Sequence, residues 1–485
     1  MAFGLSKSKV MYAFQCPRRL WLEVKRPQLA QSTQQAAHVM QLGNDIHETA
    51  RTLFPNGMLI ENVDDLKIAL RETQAILKNS PGTPVFEGAF THNGVLIRAD
   101  MLFPDPSGAR LVEVKAAGSL RDYYLQDCAI QAWVIEGAGV PLKKVEVATV
   151  DTSFVYPGRG DYRGLFRYQD VTDRVRSAQG EVPLWVWECF QVLEGPEPMI
   201  PVGKQCEKPY DCPFMDFCSP EQGPVYPLAC LPNAGSVVQE LQDLGIDDIR
   251  QIPDGYLKSP NQERVRRVTI SGKAEVDPAA CTLLRGLPYP RYFLDFETIN
   301  PAVPIWAGTR PYQQVPFQWS CHIQQAPGKL DHEWFLDTTG NCPMRGAAES
   351  LLSALRDSGP IFMYSDFEKR IIRELAAFLP DLAGRLTSIV RRLTDLKPIV
   401  KDRYYHPQMK GSWSLKSVAE CINPGMSHAN LQEVTDGTAA QRAYLEIVAP
   451  ETDQTRRDDL RKKLLDYCTL DTMAMARIVE FLQSH

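Results

Sequence analysis

Apolar residues near the start of the chain recur at helical spacing. Val10, Phe14, Leu20 and Trp21 mark one face over residues 6–24, interrupted at Cys16-Pro17, with Ser6 or Ser8 placed to cap. The spacing predicts a second helix from about Thr33 to Leu53, carrying His47, and a third that includes Ala69–Leu77. The period then shortens to two. Val85–Phe90, Val95–Phe103 and Leu111–Ala116 read as strands, with turns at Asn93-Gly94 and Pro106-Ser107-Gly108. Residues 122–138 return to helical spacing, Val145–Thr149 reads as a buried strand, and the Gly- and Arg-rich 156–164 as a loop. The Pro-, Gly- and Cys-rich stretch 195–233 predicts little regular structure, so something else must order it. Short helices are expected over 234–288, broken at Leu244-Gly245-Ile246 and Ile252-Pro253. Tyr292–Glu297, Phe317–Gln324 and Trp334–Leu336 read as one sheet. Pro360–Ser365 is a strand feeding a helix at 366–379, and a last helix covers roughly 455–483. The pattern is α/β throughout. It divides into 1–230, a helical connector 231–288, and 289–485.

The chain has 485 residues, enough for two or three ordinary cores, and its 44% hydrophobic and 23% charged content is globular. No apolar run reaches membrane-spanning length, and Met1–Val10 lacks the apolar core of an export signal. A cytoplasmic, reducing compartment is therefore expected, where twelve cysteines are not disulfides. The net charge of −6 argues against a uniformly basic surface but leaves room for a local groove.

Three groups of residues carry chemistry. Asp100, Glu113 and Lys115 lie on neighbouring strands, and Glu113 and Lys115, two apart, share a face. Two carboxylates there can hold Mg²⁺ or Mn²⁺ while the lysine orients a water; Glu-Val-Lys alone would equally suit a solvated strand. Cys16, then Cys206, Cys212 and Cys218, bracket that core, an order suited to a soft metal or cluster, with zinc as the rival to iron–sulfur. The other cysteines read as packing residues, Cys230 being the nearest substitute ligand. Asp295 and Glu297 share one face of a buried strand, which is costly without a cation. Tyr467 and Asp471 lie one helical turn apart. Asp366 reads as a helix cap, Asp395 as a loop residue, and the aromatic stretch Pro304–Ser320 either as a platform for bases or as core.

Cys16-Pro17-Arg18-Arg19-Leu20-Trp21 resembles the opening motif of the RecB-like PD-(D/E)XK iron–sulfur nucleases, which include CRISPR-associated exonucleases and AddB. Gly43-Asn44-Asp45-Ile46-His47 is similar to their Gly-x-x-x-His helix motif. The resemblance implies a restriction-endonuclease-like domain with His47, Asp100, Glu113 and the Val114 carbonyl as Mg²⁺ or Mn²⁺ ligands and Lys115 as the catalytic lysine. Gln131, or Gln126, would stand in the Gln-x-x-x-Tyr helix motif, with Trp133 or Ile135 in its aromatic region. The four cysteines would hold a [4Fe-4S] cluster, although the family's usual Cys-x2-Cys becomes Cys206-x5-Cys212 here.

Phe293-Leu294-Asp295-Phe296-Glu297-Thr298 with Tyr467-x3-Asp471 resembles the DnaQ-like, RNase H-fold exonucleases of the DEDDy kind. The resemblance implies that Asp295, Glu297 and Asp471 bind two divalent ions, that Tyr467 positions the water, and that cleavage runs 3′→5′. Glu368 aligns with the family's middle aspartate. With Lys410-Gly411-Ser412-Trp413-Ser414-Leu415-Lys416, the whole chain is similar to a bacterial family that joins the two modules. The expectation is a metal-dependent DNA nuclease acting on single strands or ends. An RNA exonuclease, or a nucleic-acid-binding scaffold with one or both sites inactive, stays open beside it.

Overall fold

A computed structural model of the chain describes residues 4–31, 34–62, 65–219, 223–427 and 431–485. They form two compact units, Met1–Glu221 with Pro301–Gln313, and Gln222–Asn300 with Gln314–His485.

The first unit is built on a seven-stranded sheet of β1 (Leu5–Ser6), β2 (Met58–Leu59), β3 (Val85–His92), β4 (Val95–Phe103), β5 (Ala109–Lys115), β6 (Leu142–Val150) and β7 (Phe166–Asp170). The order is β2-β3-β4-β5-β6-β7, and β1 pairs in parallel with β4. β3 and β4 form a hairpin on Asn93 and Gly94, both at positive φ (45° and 78°), the twist that a two-residue hairpin turn requires. β5 and β6 are parallel, so the chain must cross over between them. It does so through the helix Asp122–Gly137, whose Ile130, Val134 and Ile135 pack with Leu111, Val145 and Val147. The opposite face, with Val112, Val114 and Ala148, is covered by Ile46 and Ala50 of the helix Gln34–Thr52. Alternation along β5 thus sends Glu113 and Lys115 to the side of the crossover helix.

The expected first helix is two helices, Lys7–Gln15 and Pro17–Lys25. Cys16 between them is extended (φ −165°, ψ 118°), as the residue before a proline prefers. Thr33, the expected start of the next helix, lies outside the described residues. The helices Thr172–Gln179 and Val182–Glu194 were not legible from periodicity.

The second unit holds a five-stranded sheet of β9 (Arg291–Ile299), β10 (Val315–Ala326), β11 (Lys329–Leu336), β12 (Ile361–Met363) and β13 (Leu393–Asp395), in the order β11-β10-β9-β12-β13. β9, β10 and β11 are antiparallel; β9, β12 and β13 are parallel. The helix Gln454–Ser484 packs on β9 and β10. The short helices of 234–288 share one apolar core with this sheet: Leu241, Val265 and Leu284 join Phe293, Phe362, Met475 and Val479. A two-stranded ladder of β8 (Glu275–Val276) and β14 (Tyr404–Tyr405) ties them in further. Among the described residues no helix is long and apolar enough to cross a membrane.

Candidate metal centres

In the first unit β4 and β5 bring Asp100 and Glu113 together beneath two helices. The Val114 backbone N–H donates to Asp100 Oδ2 at 2.7 Å, which fixes that carboxylate against β5. His47 Nε2 lies 3.2 Å from the Val114 carbonyl oxygen and 3.7 Å from Asp100 Oδ2. The Asp100 charge holds the imidazole well above its usual range, to about 9, against the opposing effect of burial. Glu113 is fully buried: Gln131 Nε2 donates to its Oε2 at 2.7 Å and Lys115 Nζ to its Oε1 at 2.6 Å. Burial and Asp100 push the Glu113 carboxyl up, but Lys115 and Lys7 outweigh them and leave it below its ordinary value. His47, Asp100, Glu113, Val114, Lys115 and Gln131 therefore meet in one place.

Four neighbours of this site escaped the pattern reading. Glu87 on β3 stands opposite Asp100, and His47, Glu87 and Asp100 offer donor atoms all within 4.8 Å of one another. Its φ of 54° is a left-handed conformation that a bulky residue in a strand rarely adopts. Asp127, one turn before Gln131, accepts from Lys115 Nζ at 2.6 Å; the i, i+4 spacing on one helix face was the available signal. Lys7 reaches Glu113 Oε1 at 3.0 Å. Tyr124 places its ring 5.2 Å from Lys115 Nζ. By contrast Trp133 packs on His92 (4.6 Å between rings) and Ile135 lies in the apolar core, so neither supplies an aromatic group to the site.

Cys16, Cys206, Cys212 and Cys218 line one small cavity with Arg18, Arg19, Phe214 and Met215. Protein hydrogen bonds clasp the 195–218 segment to the first two helices. Gln15 Nε2 donates to the Gln205 and Tyr210 carbonyls at 2.7 and 2.6 Å, Arg18 Nε to Glu197 at 2.8 Å, and Trp21 Nε1 to the Gly195 carbonyl at 3.2 Å. Burial raises the Cys212 and Cys218 thiols, with Arg19 and Arg18 respectively opposing. Cys230 packs instead against the apolar core of the second unit.

In the second unit Asp295 and Glu297 project from β9 towards the helix Gln454–Ser484, which brings Tyr467, Cys468 and Asp471. Cys468 Sγ lies 3.5 Å from Asp295 Oδ2, and Asp295, Glu297 and Cys468 offer donor atoms within 4.8 Å of one another. The sequence reading placed Cys468 among packing residues. Glu368, one residue into the helix Phe367–Phe378, is buried within hydrogen-bonding reach of Asp295, and its Oε2 has no protein partner. Burial, then Asp471, pushes Glu297 up to about 8; burial pushes Glu368 up to about 7; burial, then Asp471, Glu297 and Glu368, holds Asp295 well above its usual range. Burial and the same carboxylates raise the Tyr467 phenol. Lys416, whose charge opposes the rise at Glu297, donates its own hydrogen bond to the Thr435 carbonyl at 2.8 Å and sits 5.3 Å from the Tyr467 ring.

Two readings of neighbouring residues change. Asp366 occupies the cap position before Phe367, but its side chain makes no capping bond; Ser365 Oγ accepts from Phe367 N at 3.2 Å instead. Asp395 is a helix cap, accepting from Lys397 N at 2.9 Å. The aromatic stretch 304–320 is not one surface. Pro301–Gln313 belongs to the first unit, whereas Phe317 stacks on Tyr444 and Trp319 is fully buried in the second.

Residues 292–414 match a family profile described as a domain of unknown function (DUF2779). The match takes in Asp295, Glu297 and Glu368 and ends before Tyr467 and Asp471. No curated protein matches the chain.

Proposed function

We propose that the protein is a metal-ion-dependent DNA nuclease with two phosphodiesterase sites and a structural iron–sulfur cluster, working on single strands or ends in the reducing cytoplasm. The observation that carries this is the second site. Asp295, Glu297, Glu368 and Asp471 are drawn into one cluster, with Glu297, Glu368 and Asp471 each at least nine-tenths buried and Lys416 bonded elsewhere. Such a set is expensive to bury unless divalent cations neutralise it. The sheet order β11-β10-β9-β12-β13, antiparallel then parallel, supports an RNase H-like reading. The run β3-β4-β5, crossover helix, β6 supports a restriction-endonuclease-like reading of the first unit.

The donor sets fit the implied metals. Hard oxygens and one imidazole suit Mg²⁺ or Mn²⁺ at His47, Asp100, Glu113 and the Val114 carbonyl, with Glu87 in reach, and at the four carboxylates of the second site. Bound there, the ions would supply charge neutralisation and an acidified water. Lys115 holds its ammonium between Glu113 and Asp127, poised to orient a nucleophilic water. Gln131 fixes Glu113, and Tyr467 presents a phenol that stays protonated and can donate to a water. The four cysteines line one cavity and offer an all-thiolate donor set that suits an iron–sulfur cluster, with zinc the alternative that metal analysis separates.

Cleavage of end-labelled DNA and RNA oligonucleotides with Mg²⁺ or Mn²⁺ tests the reading. Lys115→Ala should remove one activity and Asp295→Asn the other. Loss of all cleavage in either single variant would defeat the two-site proposal, and exclusive cleavage of RNA would change the substrate.

A further inference from the structure

The first site holds one more cation than its proposed chemistry uses. Lys7 follows β1 and opens the helix Lys7–Gln15. Its Nζ donates to Glu113 Oε1 at 3.0 Å and lies 3.0 Å from Asp127 Oδ1. Lys115 reaches the same Glu113 oxygen at 2.6 Å and the other Asp127 oxygen, Oδ2, also at 2.6 Å. Gln131 bridges the same pair, with Nε2 2.7 Å from Glu113 Oε2 and 3.1 Å from Asp127 Oδ1. Two ammonium groups and two carboxylates thus form a closed, neutral set around an almost fully buried Glu113.

Both oxygens of Glu113 are already engaged by protein donors. Oε1 has both of its lone pairs taken by ammonium donors, so a divalent ion that takes Glu113 through Oε1 has to displace one of the two lysines. Of the two lysines on Oε1, Lys7 makes the longer bond, so it is the easier to release. Release does not orphan its charge, because Asp127 Oδ1 still faces it. In the second site Lys416 acts on Glu297 through its charge while bonding to Thr435.

We propose that Lys7 is a resident cation of the first site. It competes with the divalent ion for Glu113 and sets the ion concentration at which that site loads. This rests on the reading of the first site as a metal centre. Lys7 is a positioning residue in this role, since it acts on the reaction through Glu113.

The test uses the full chain with the second site silenced by Asp295→Asn and Asp471→Asn, so that Mn²⁺ binding followed by electron paramagnetic resonance reports the first site. Lys7→Met removes the competitor and should tighten Mn²⁺ binding about tenfold, the loss of one charge-assisted hydrogen bond. The Mn²⁺ concentration for half-maximal cleavage should fall in the same ratio, and Lys7→Arg, which keeps the charge, should stay close to the parent. A residue that merely holds the fold gives the opposite sign, weaker ion binding on its removal. Unchanged or weaker Mn²⁺ binding in Lys7→Met, with parental iron content and circular dichroism, overturns the inference. Lys7→Gln serves in its place if the methionine chain does not fold. Absence of any Mn²⁺ binding that Asp100→Asn removes defeats the metal-centre reading itself, a distinguishable result.

Discussion

Asp471→Asn takes out the charge that raises Asp295, Glu297 and Glu368 alike, and should stabilise the second unit when divalent ions are chelated. Glu297 ordinarily titrates near 4.5 and here near 8; at 1.36 kcal/mol per pH unit the difference is about 5 kcal/mol for holding it ionised in place. Burial is the larger cause, and Asp471 and Glu368 add their charges, while Lys416 opposes and Asp436 adds a little more. Both Glu297 and Glu368 hold protons more tightly in the folded chain than when unfolded. Their contribution to stability is therefore complete below about pH 4.5 and is lost as the pH rises through about 7 and 8. In chelator the second unit should weaken steadily over that window, and Asp471→Asn should flatten the slope and recover on the order of 1 kcal/mol near pH 8. In the parent, Mn²⁺ at about 100 times its dissociation constant should return about 2.7 kcal/mol, an effect the variant largely loses. Hydrogen exchange of β9 and the helix Gln454–Ser484, measured at several pH values with chelator or Mn²⁺, reads this directly. If protection in chelator instead rises between pH 5 and 8, the carboxylates are not held charged against one another and the argument fails.

Other outcomes follow from the same geometry. Glu368→Ala should abolish cleavage by the second site, whereas Asp366→Ala should change stability by less than about 0.5 kcal/mol, since Asp366 is exposed and makes no capping bond; an essential Asp366 in an oligonucleotide assay would reassign the ligand. Protein purified without oxygen should be brown with roughly four irons per chain, and Cys16→Ser should lower the iron and loosen the first unit while exchange in β9 stays parental. Stoichiometric zinc in place of iron would refute the cluster.

Legibility in the sequence followed the range of each signal. The hairpin at Asn93-Gly94, the helical spacing over 122–138 and the strand Tyr292–Glu297 were readable because each is set by its own period and turn residues. Glu113, Lys115, Asp295 and Glu297 were readable because a carboxylate alternating with an apolar residue in a buried strand is locally expensive. Glu87, Lys7 and Cys468 gave no local signal. Glu87 becomes interesting only through its left-handed φ and its place opposite Asp100. Lys7 gains meaning only when β1 docks on β4, and Cys468 only when the last helix meets β9. Asp366 shows the opposite error: a good capping residue in the capping position whose side chain points elsewhere, because Ser365 takes the bond.

The two sites solve one electrostatic problem in different ways, and this bears on why the chain carries both. In the first, Lys7 and Lys115 neutralise Glu113 and Asp127 from within, and His47, Arg51 and Arg98 surround Glu87. These cations hold Glu87 and Glu113 below their ordinary values, so an ion would have to compete to enter. In the second, burial and mutual repulsion push Asp295, Glu297 and Glu368 towards their neutral forms. There, on the proposed reading, entry of an ion would release protons. Loading of the second site should therefore depend steeply on pH between about 7 and 8, whereas loading of the first has to expel the His47 proton, held to about pH 9, and to overcome Lys7. If both sites are metal centres, as proposed, one would load at ion levels that leave the other empty.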